Sequence, residues 1–265
     1  MIVRDFTRRK VSDFLSTGNY RRALIRFHHG LGDAIAFYPC FERLRQLYPA
    51  VDLKFHVHCG QEEIFGQADD GEAGYDIVFE LPYPCSEWTH PERTKAENSC
   101  IEELGIRPPA PALALPKRFP SPLVGLHFFS TCMPQTLGCP EDAARRLWRQ
   151  LIDAELVPLD THMSHYFDNP ENRPFQWTDC AIRSAKATLP NLIGTIGCCC
   201  GFAGVSSGNF HVALALFPPE LVLFLQNDIP AERLTRLPVA QLDVRNYDAG
   251  IVRDWISRIK ARRRA

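Results

Sequence analysis

Residues 28–39 read HHGLGDAIAFYP and crowd His28, His29, Gly30, Gly32 and Asp33 into one short stretch. A carboxylate beside glycines can act as a general base on a ligand brought close to the backbone, because glycine has no side chain to block the approach. The same residues can equally start a helix, with Asp33 as its N-cap. The pattern is not a dinucleotide fingerprint, since Ile35 stands where a third glycine belongs. A second stretch, GVSSGNFHVALAL at 204–216, places Ser206, Ser207 and Gly208 before a helix opened by Asn209, with His211 in its first turn. Such a helix start offers unsatisfied N–H groups and the positive end of its dipole, which suits phosphate; a serine-rich cap is the plainer alternative.

Other residue clusters exclude more than they suggest. The chain has ten cysteines but no CxxC pair. Cys198, Cys199 and Cys200, if they lie in a strand, alternate faces and cannot converge on one tetrahedral zinc. PYPCSEW has Trp88 where a zinc deaminase needs its second cysteine. His56 and His58 share a face of an expected strand, yet no acidic residue nearby completes a metal set. Reduced, buried thiols in a cytoplasmic protein are expected, with no resident metal or cofactor.

The elements that must position these residues alternate along 265 residues, enough for one large domain or two ordinary ones. ALIRF is an expected strand, followed by a helix with Ile35, Tyr38, Phe41, Leu44 and Tyr48 on one face, kinked at Pro39 or starting after it. LKFHVH (53–58) and DIVFEL (76–81) are further strands. Six prolines between Pro108 and Pro122 mark a connector. Beyond it come LVGLHFF, DAARRLWRQLIDAEL, LVPLD, LPNLIGTIG, CCCGFAGV, GNFHVALAL, ELVLFLQ and DAGIVRDWISRIKARRR, alternating strand and helix. The expectation is an α/β protein of two Rossmann-like lobes facing across a cleft, residues 1–115 and 116–265, each with a parallel sheet.

A net charge of −1 gives no field to recruit nucleic acid, and no apolar run is long enough to span a bilayer. MIVRDFTRRK lacks the apolar stretch of a secretory signal. The basic end RIKARRRA suits a helix C-terminus, or weak contact with an anionic membrane surface.

Taken together, LIRFHHGLGDAIAFYPCF, VGLHFFSTCMPQTLGCPEDAARRLWRQL and LIGTIGCCCGFAGVSSGNFHVALAL resemble, in order, three motifs of glycosyltransferase family 9, which includes the lipopolysaccharide heptosyltransferases. The resemblance implies a GT-B fold and inverting, metal-independent transfer of a sugar from a nucleotide-sugar donor to a saccharide or lipid-linked acceptor. It implies that Asp33 is the general base, with Arg26, His28, His29, Gly30 and Gly32 on the acceptor side. Ser130, Thr131, Ser206, Ser207, Gly208, Asn209 and His211 fall on the donor side. The sequence departs from the family where an acidic residue is usual before the serine-glycine pair, having Ser206 instead. It also lacks the basic residue usual before the family's tryptophan-proline pair; Lys117, Arg118 and His127 are candidate substitutes. A second reading is therefore a GT-B-like protein without turnover that binds a sugar, a nucleotide or a protein.

Overall fold

The structure is a computed structural model and describes residues 1–57, 61–66, 72–82, 90, 92–110, 115, 121–130, 138–163, 175, 177–178, 180–182, 188–227 and 229–264. The chain divides into two units, Met1–Leu113 with Glu232–Arg236, and Ala114–Ala231 with Leu237–Ala265. The first contains β1 (Ile2–Val3), α1 (Val11–Leu15), β2 (Arg22–Phe27), α2 (Leu31–Leu47), β3 (Asp52–Val57), α3 (Glu62–Phe65), β4 (Ile77–Glu80) and α4 (Lys95–Ser99). A π-helical turn, Cys100–Leu104, continues α4. Its sheet runs β1-β4-β2-β3, with every pairing parallel.

The second unit contains β5 (Leu123–His127), α5 (Glu141–Asp153), β6 (Val157–Met163), β7 (Cys180–Ile182), α6 (Leu189–Gly197), β8 (Gly201–Gly204), α7 (Gly208–Leu216), β9 (Val222–Gln226), β10 (Ala240–Asp243) and α8 (Ala249–Arg264). Its sheet is also all parallel, in the order β10-β9-β8-β5-β6-β7. All of β8 and the first four residues of β9 are buried, as a sheet covered on both faces requires. The expected α/β class with two Rossmann-like units is therefore present. Most of the proline-rich connector lies outside the described residues.

Aromatic packing holds α2 on its sheet. Phe27, the last residue of β2, stacks on Phe37 with centroids 4.4 Å apart, and Phe41 stacks on Phe55 of β3 at 4.6 Å. Phe27 and Phe37 are fully buried, so each contributes about 1.5–3 kcal/mol by leaving water. This packing answers the Pro39 question: the helix runs unbroken from Leu31 to Leu47 with Pro39 inside it. It also turns the buried stripe towards Ala34, Phe37, Phe41 and Leu44, leaving Tyr38 half-buried and Tyr48 at the helix end.

In the second unit, glycines make room for other side chains. A Cβ on Gly125 of β5 would meet the Phe202 ring at 2.8 Å, and one on Gly204 would meet it at 2.7 Å. The expected strand CCCGFAGV is shorter than its apolar run. Cys198 caps α6, Cys199 and Cys200 form the bend, and β8 starts at Gly201. The six cysteines whose side chains are described are free thiols, all but Cys198 buried.

Candidate active site

In the first unit the candidate residues gather where β2 hands over to α2. Gly30 is the N-cap residue, with Leu31, Gly32 and Asp33 as the first three helical positions. Asp33 is thus one turn inside the helix, not the cap that its sequence position suggested. The Ala34 N–H closes this turn on the Gly30 carbonyl at 3.0 Å. The Asp33 carboxylate turns outward to Lys95, the first residue of α4, with Oδ1 2.8 Å from Nζ. Both side chains keep some exposure, 28% and 22%. Oδ2 lies on the other side, where a Cβ added to Gly30 would stand 3.8 Å from it.

The two histidines before the glycines are fixed differently. His29 packs on Phe27 at 4.6 Å and has Nε2 3.4 Å from the Leu81 carbonyl. Burial pushes its imidazole below the ordinary value, partly offset by the Leu81 carbonyl and the Asp33 charge. Gln61 donates from Nε2 to the His29 carbonyl at 3.0 Å, which ties the turn to the start of α3. His28 Nε2 lies 2.7 Å from His56 Nδ1, so one ring donates and the other accepts. His58 lies outside the described residues. Arg26 is placed elsewhere: it pairs with Glu80 of β4 at 3.0 Å, across the register that sets these two residues side by side. Arg4 binds the same carboxylate, and together the two guanidiniums hold Glu80 below the usual carboxylate range.

In the second unit the candidates gather where β8 meets α7 and at the end of β5. Ser207 is the N-cap of α7, its Oγ accepting from the Phe210 N–H at 3.3 Å. Gly208 opens the helix, and the His211 N–H bonds the Ser207 carbonyl. The His211 ring is half-buried beside Phe210, and Ser206 is half-buried in the bend. Ser130 is buried three residues after β5; Thr131, Lys117 and Arg118 lie outside the described residues.

Asn209 does something its position at a helix start did not suggest. It is buried, and its amide Nδ2 lies 3.1 Å from His127 Nδ1, 2.9 Å from the Thr161 carbonyl and 3.2 Å from Thr161 Oγ1. Thr161 Oγ1 in turn donates to the Leu126 carbonyl at 2.9 Å. One side chain therefore straps α7 to the ends of β5 and β6. The His127 and His162 rings lie nearly parallel, 17° apart with centroids at 5.9 Å. Burial pushes His127 down to about 3 and His162 to about 4, the neighbouring ring adding to the effect on His127. Neither carries charge at neutral pH, so His127 cannot replace a phosphate-binding cation. Asp160, also buried, accepts from the His162 N–H and from Thr178 Oγ1, both at 2.9 Å.

Sequence reasoning missed Lys95, His162, Asp160 and Thr161. The last three had a signal, a polar DTH run closing an apolar strand. Lys95 had none, being 62 residues from the carboxylate it meets. Among the described residues no group of three or more His, Cys, Asp or Glu side chains is placed to hold a metal ion. No described helix is long and apolar enough to cross a membrane.

No family model and no curated protein matches the chain in sequence. Solved structures do match its fold. Escherichia coli ADP-heptose lipopolysaccharide heptosyltransferase II aligns over 92% of this chain and 100% of its own, at 14% identity and a TM-score of 0.64. The iron-containing dodecameric glycosyltransferase TibC of enterotoxigenic E. coli H10407 aligns over 84% of this chain, at 15% identity and a TM-score of 0.63. The match spans 64% of TibC, under two thirds of its length. A family 9 glycosyltransferase from Veillonella parvula aligns over 84% and 85% of the two chains, at 13% identity and a TM-score of 0.58. The chain thus has the two-unit fold of GT-B heptosyltransferases, as the sequence resemblance implied.

Proposed function

We propose that this chain is a glycosyltransferase that moves a sugar from a nucleotide-sugar donor to an acceptor hydroxyl, with inversion and without a metal. The observation that carries the reading is the Asp33 carboxylate, held by Lys95 at one oxygen and set over Gly30 at the other. Asp33 takes the proton from the acceptor hydroxyl as that oxygen attacks the anomeric carbon. The nucleoside diphosphate leaves with the bonding pair. The N–H groups at the start of α7, at Gly208 and Asn209, are the donors assigned to that diphosphate, with Ser130, Ser206 and His211 as neighbours. Solved relatives of this fold have been captured with ADP-heptose and with ADP, which supports a nucleotide-sugar as partner.

The acceptor is a saccharide or a lipid-linked one, at the inner face of a cytoplasmic membrane. Arg262, Arg263 and Arg264 in the exposed last turn of α8 support weak attraction to anionic lipid. Calorimetric titration with ADP, UDP and GDP and their sugar conjugates tests the donor assignment. Saturable binding of one nucleotide, weakened by Ser207→Ala, is the expected result.

The second reading, a binding module without turnover, draws on the uncharged second-unit turn. The basic residue usual before the family's tryptophan-proline pair has no counterpart and His127 carries no charge, so diphosphate affinity is lower by about 1.5–3 kcal/mol, the worth of that charge-assisted bond. Nucleotide binding without release of product from any sugar conjugate is the outcome that selects it.

A further inference from the structure

Asp33 is used unevenly. Its Oδ1 is 2.8 Å from the Lys95 ammonium, whereas among the described residues no hydrogen bond reaches Oδ2. Gly30 is a neighbour of Oδ2, its missing Cβ otherwise standing 3.8 Å away, and His29 feels the charge of the same carboxylate. The two oxygens therefore have different partners, one a fixed cation and the other the side-chain-free position of Gly30.

Lys95 does not serve its own helix. It is the first residue of α4, where a positive charge opposes the helix dipole. The helix start is already complete without it. Thr94 accepts from the Glu97 N–H at 3.1 Å, and Glu97 accepts from the Thr94 N–H at 2.7 Å. Glu97 is also gripped by Arg236, Nε lying 2.8 and 2.9 Å from its two oxygens. The start of α4 is thus fastened by a capping box and an arginine clamp, with Lys95 projecting from it onto Asp33.

We infer that Lys95 is a positioning residue for Asp33: it holds Oδ1 so that Oδ2, over Gly30, is the oxygen that receives the acceptor's proton. The inference rests on the transferase reading and assigns that reaction a direction of approach. The acceptor hydroxyl comes in across Gly30, its proton passes to Oδ2, and its oxygen forms the new glycosidic bond as the diphosphate departs. A carboxylate left to rotate about its last bond would present either oxygen and lose the aligned geometry on which proton transfer depends.

The test measures ADP release from ADP-heptose, with core saccharide freed of its lipid as acceptor, for the full chain and three variants. Lys95→Met should lower kcat about tenfold or more while KM for ADP-heptose stays within twofold. Lys95→Arg should recover part of kcat, because its guanidinium can reach the same oxygen. Gly30→Ala adds only an ordinary contact and leaves a backbone any residue adopts (φ −58), so it should fold and bind ADP as before. Its Cβ covers the approach to Oδ2, so kcat/KM for the saccharide should fall at least tenfold. Lys95→Met with unchanged kcat overturns the inference and leaves the transferase reading standing, and so does Gly30→Ala at full activity. A parent protein that binds a nucleotide and releases none from any of its sugar conjugates overturns the transferase reading, and this inference with it.

Discussion

The two strand-to-helix turns share a plan and differ in their electrostatics. At the β2–α2 turn an ammonium and a carboxylate, Lys95 and Asp33, meet at the surface with about a quarter of each side chain exposed. At the β8–α7 turn the groups that hold the helix start are uncharged and buried: Asn209, Thr161, His127 and His162 exchange hydrogen bonds or stack out of reach of water, while Ser206 and His211 stay half-buried. A group that must gain and lose a proton has to stay within reach of solvent or substrate. A turn that only presents backbone N–H groups has no such need, and can be built around uncharged side chains whose task is to fix its shape. The first turn carries a charged pair within reach of solvent, and the second is fixed by buried, uncharged hydrogen bonds.

That contrast can be broken at four points. The largest effect should come from Asp33→Asn, which keeps the shape of the side chain and removes its basicity. Transfer should fall about 10²–10⁴-fold with nucleotide affinity unchanged, read as product release against calorimetric Kd. Equal activity would return Asp33 to a purely structural ion pair.

Next comes Asn209→Ala. It strands His127 Nδ1 and the Thr161 carbonyl in a buried setting, at about 1–3 kcal/mol for each group left unpaired. Urea unfolding should show this loss, while Lys95→Met at the first turn should show less than about 1 kcal/mol, as for an exposed pair.

The third is a pH effect confined to the second unit. His127 and His162 titrate near 3 and 4 when folded, against about 6.5 in an unfolded chain, so below pH 6.5 the unfolded state binds more protons. Their contribution to stability is therefore intact above pH 6.5 and lost progressively as the pH falls towards 4 and then 3. By pH 5 about 1–2 kcal/mol of it has been lost per histidine. The midpoint of urea unfolding of the parent should fall between pH 7 and 5 more than that of His162→Phe, and equal slopes would contradict the buried neutral pair. The smallest effect is Ser207→Ala, which removes the Oγ that accepts from Phe210 and should destabilise by about 1 kcal/mol.

How far these turns could be read from sequence depended on distance along the chain. The strand before each turn, the glycines within it and the helix after it are local patterns, and β2, α2 and α7 lie where periodicity and turn chemistry put them. Asp33 was expected as a cap or a base because both begin with an acid near a helix start. Its distance from the cap was not legible, since Gly30 caps without a side chain. Lys95 and the Asn209 strap depend on packing between segments far apart in sequence, and no local signal announces them. The apolar run through Cys198–Cys200 misled for a related reason. A buried bend and a buried strand have the same composition, and only the start of pairing at Gly201 separates them.

The all-parallel pairing of both sheets also governs how the chain comes to be folded. Parallel neighbours cannot be joined by a tight hairpin, so neither sheet has a local pair from which to grow. In the second unit Val124 pairs with Gly201, with α5, β6, β7 and α6 between them in sequence. During synthesis β5 must wait on the order of seconds for its β8 partner to leave the ribosome, its apolar edge unpaired meanwhile. The search for such distant partners places refolding in the slow range, about milliseconds to seconds.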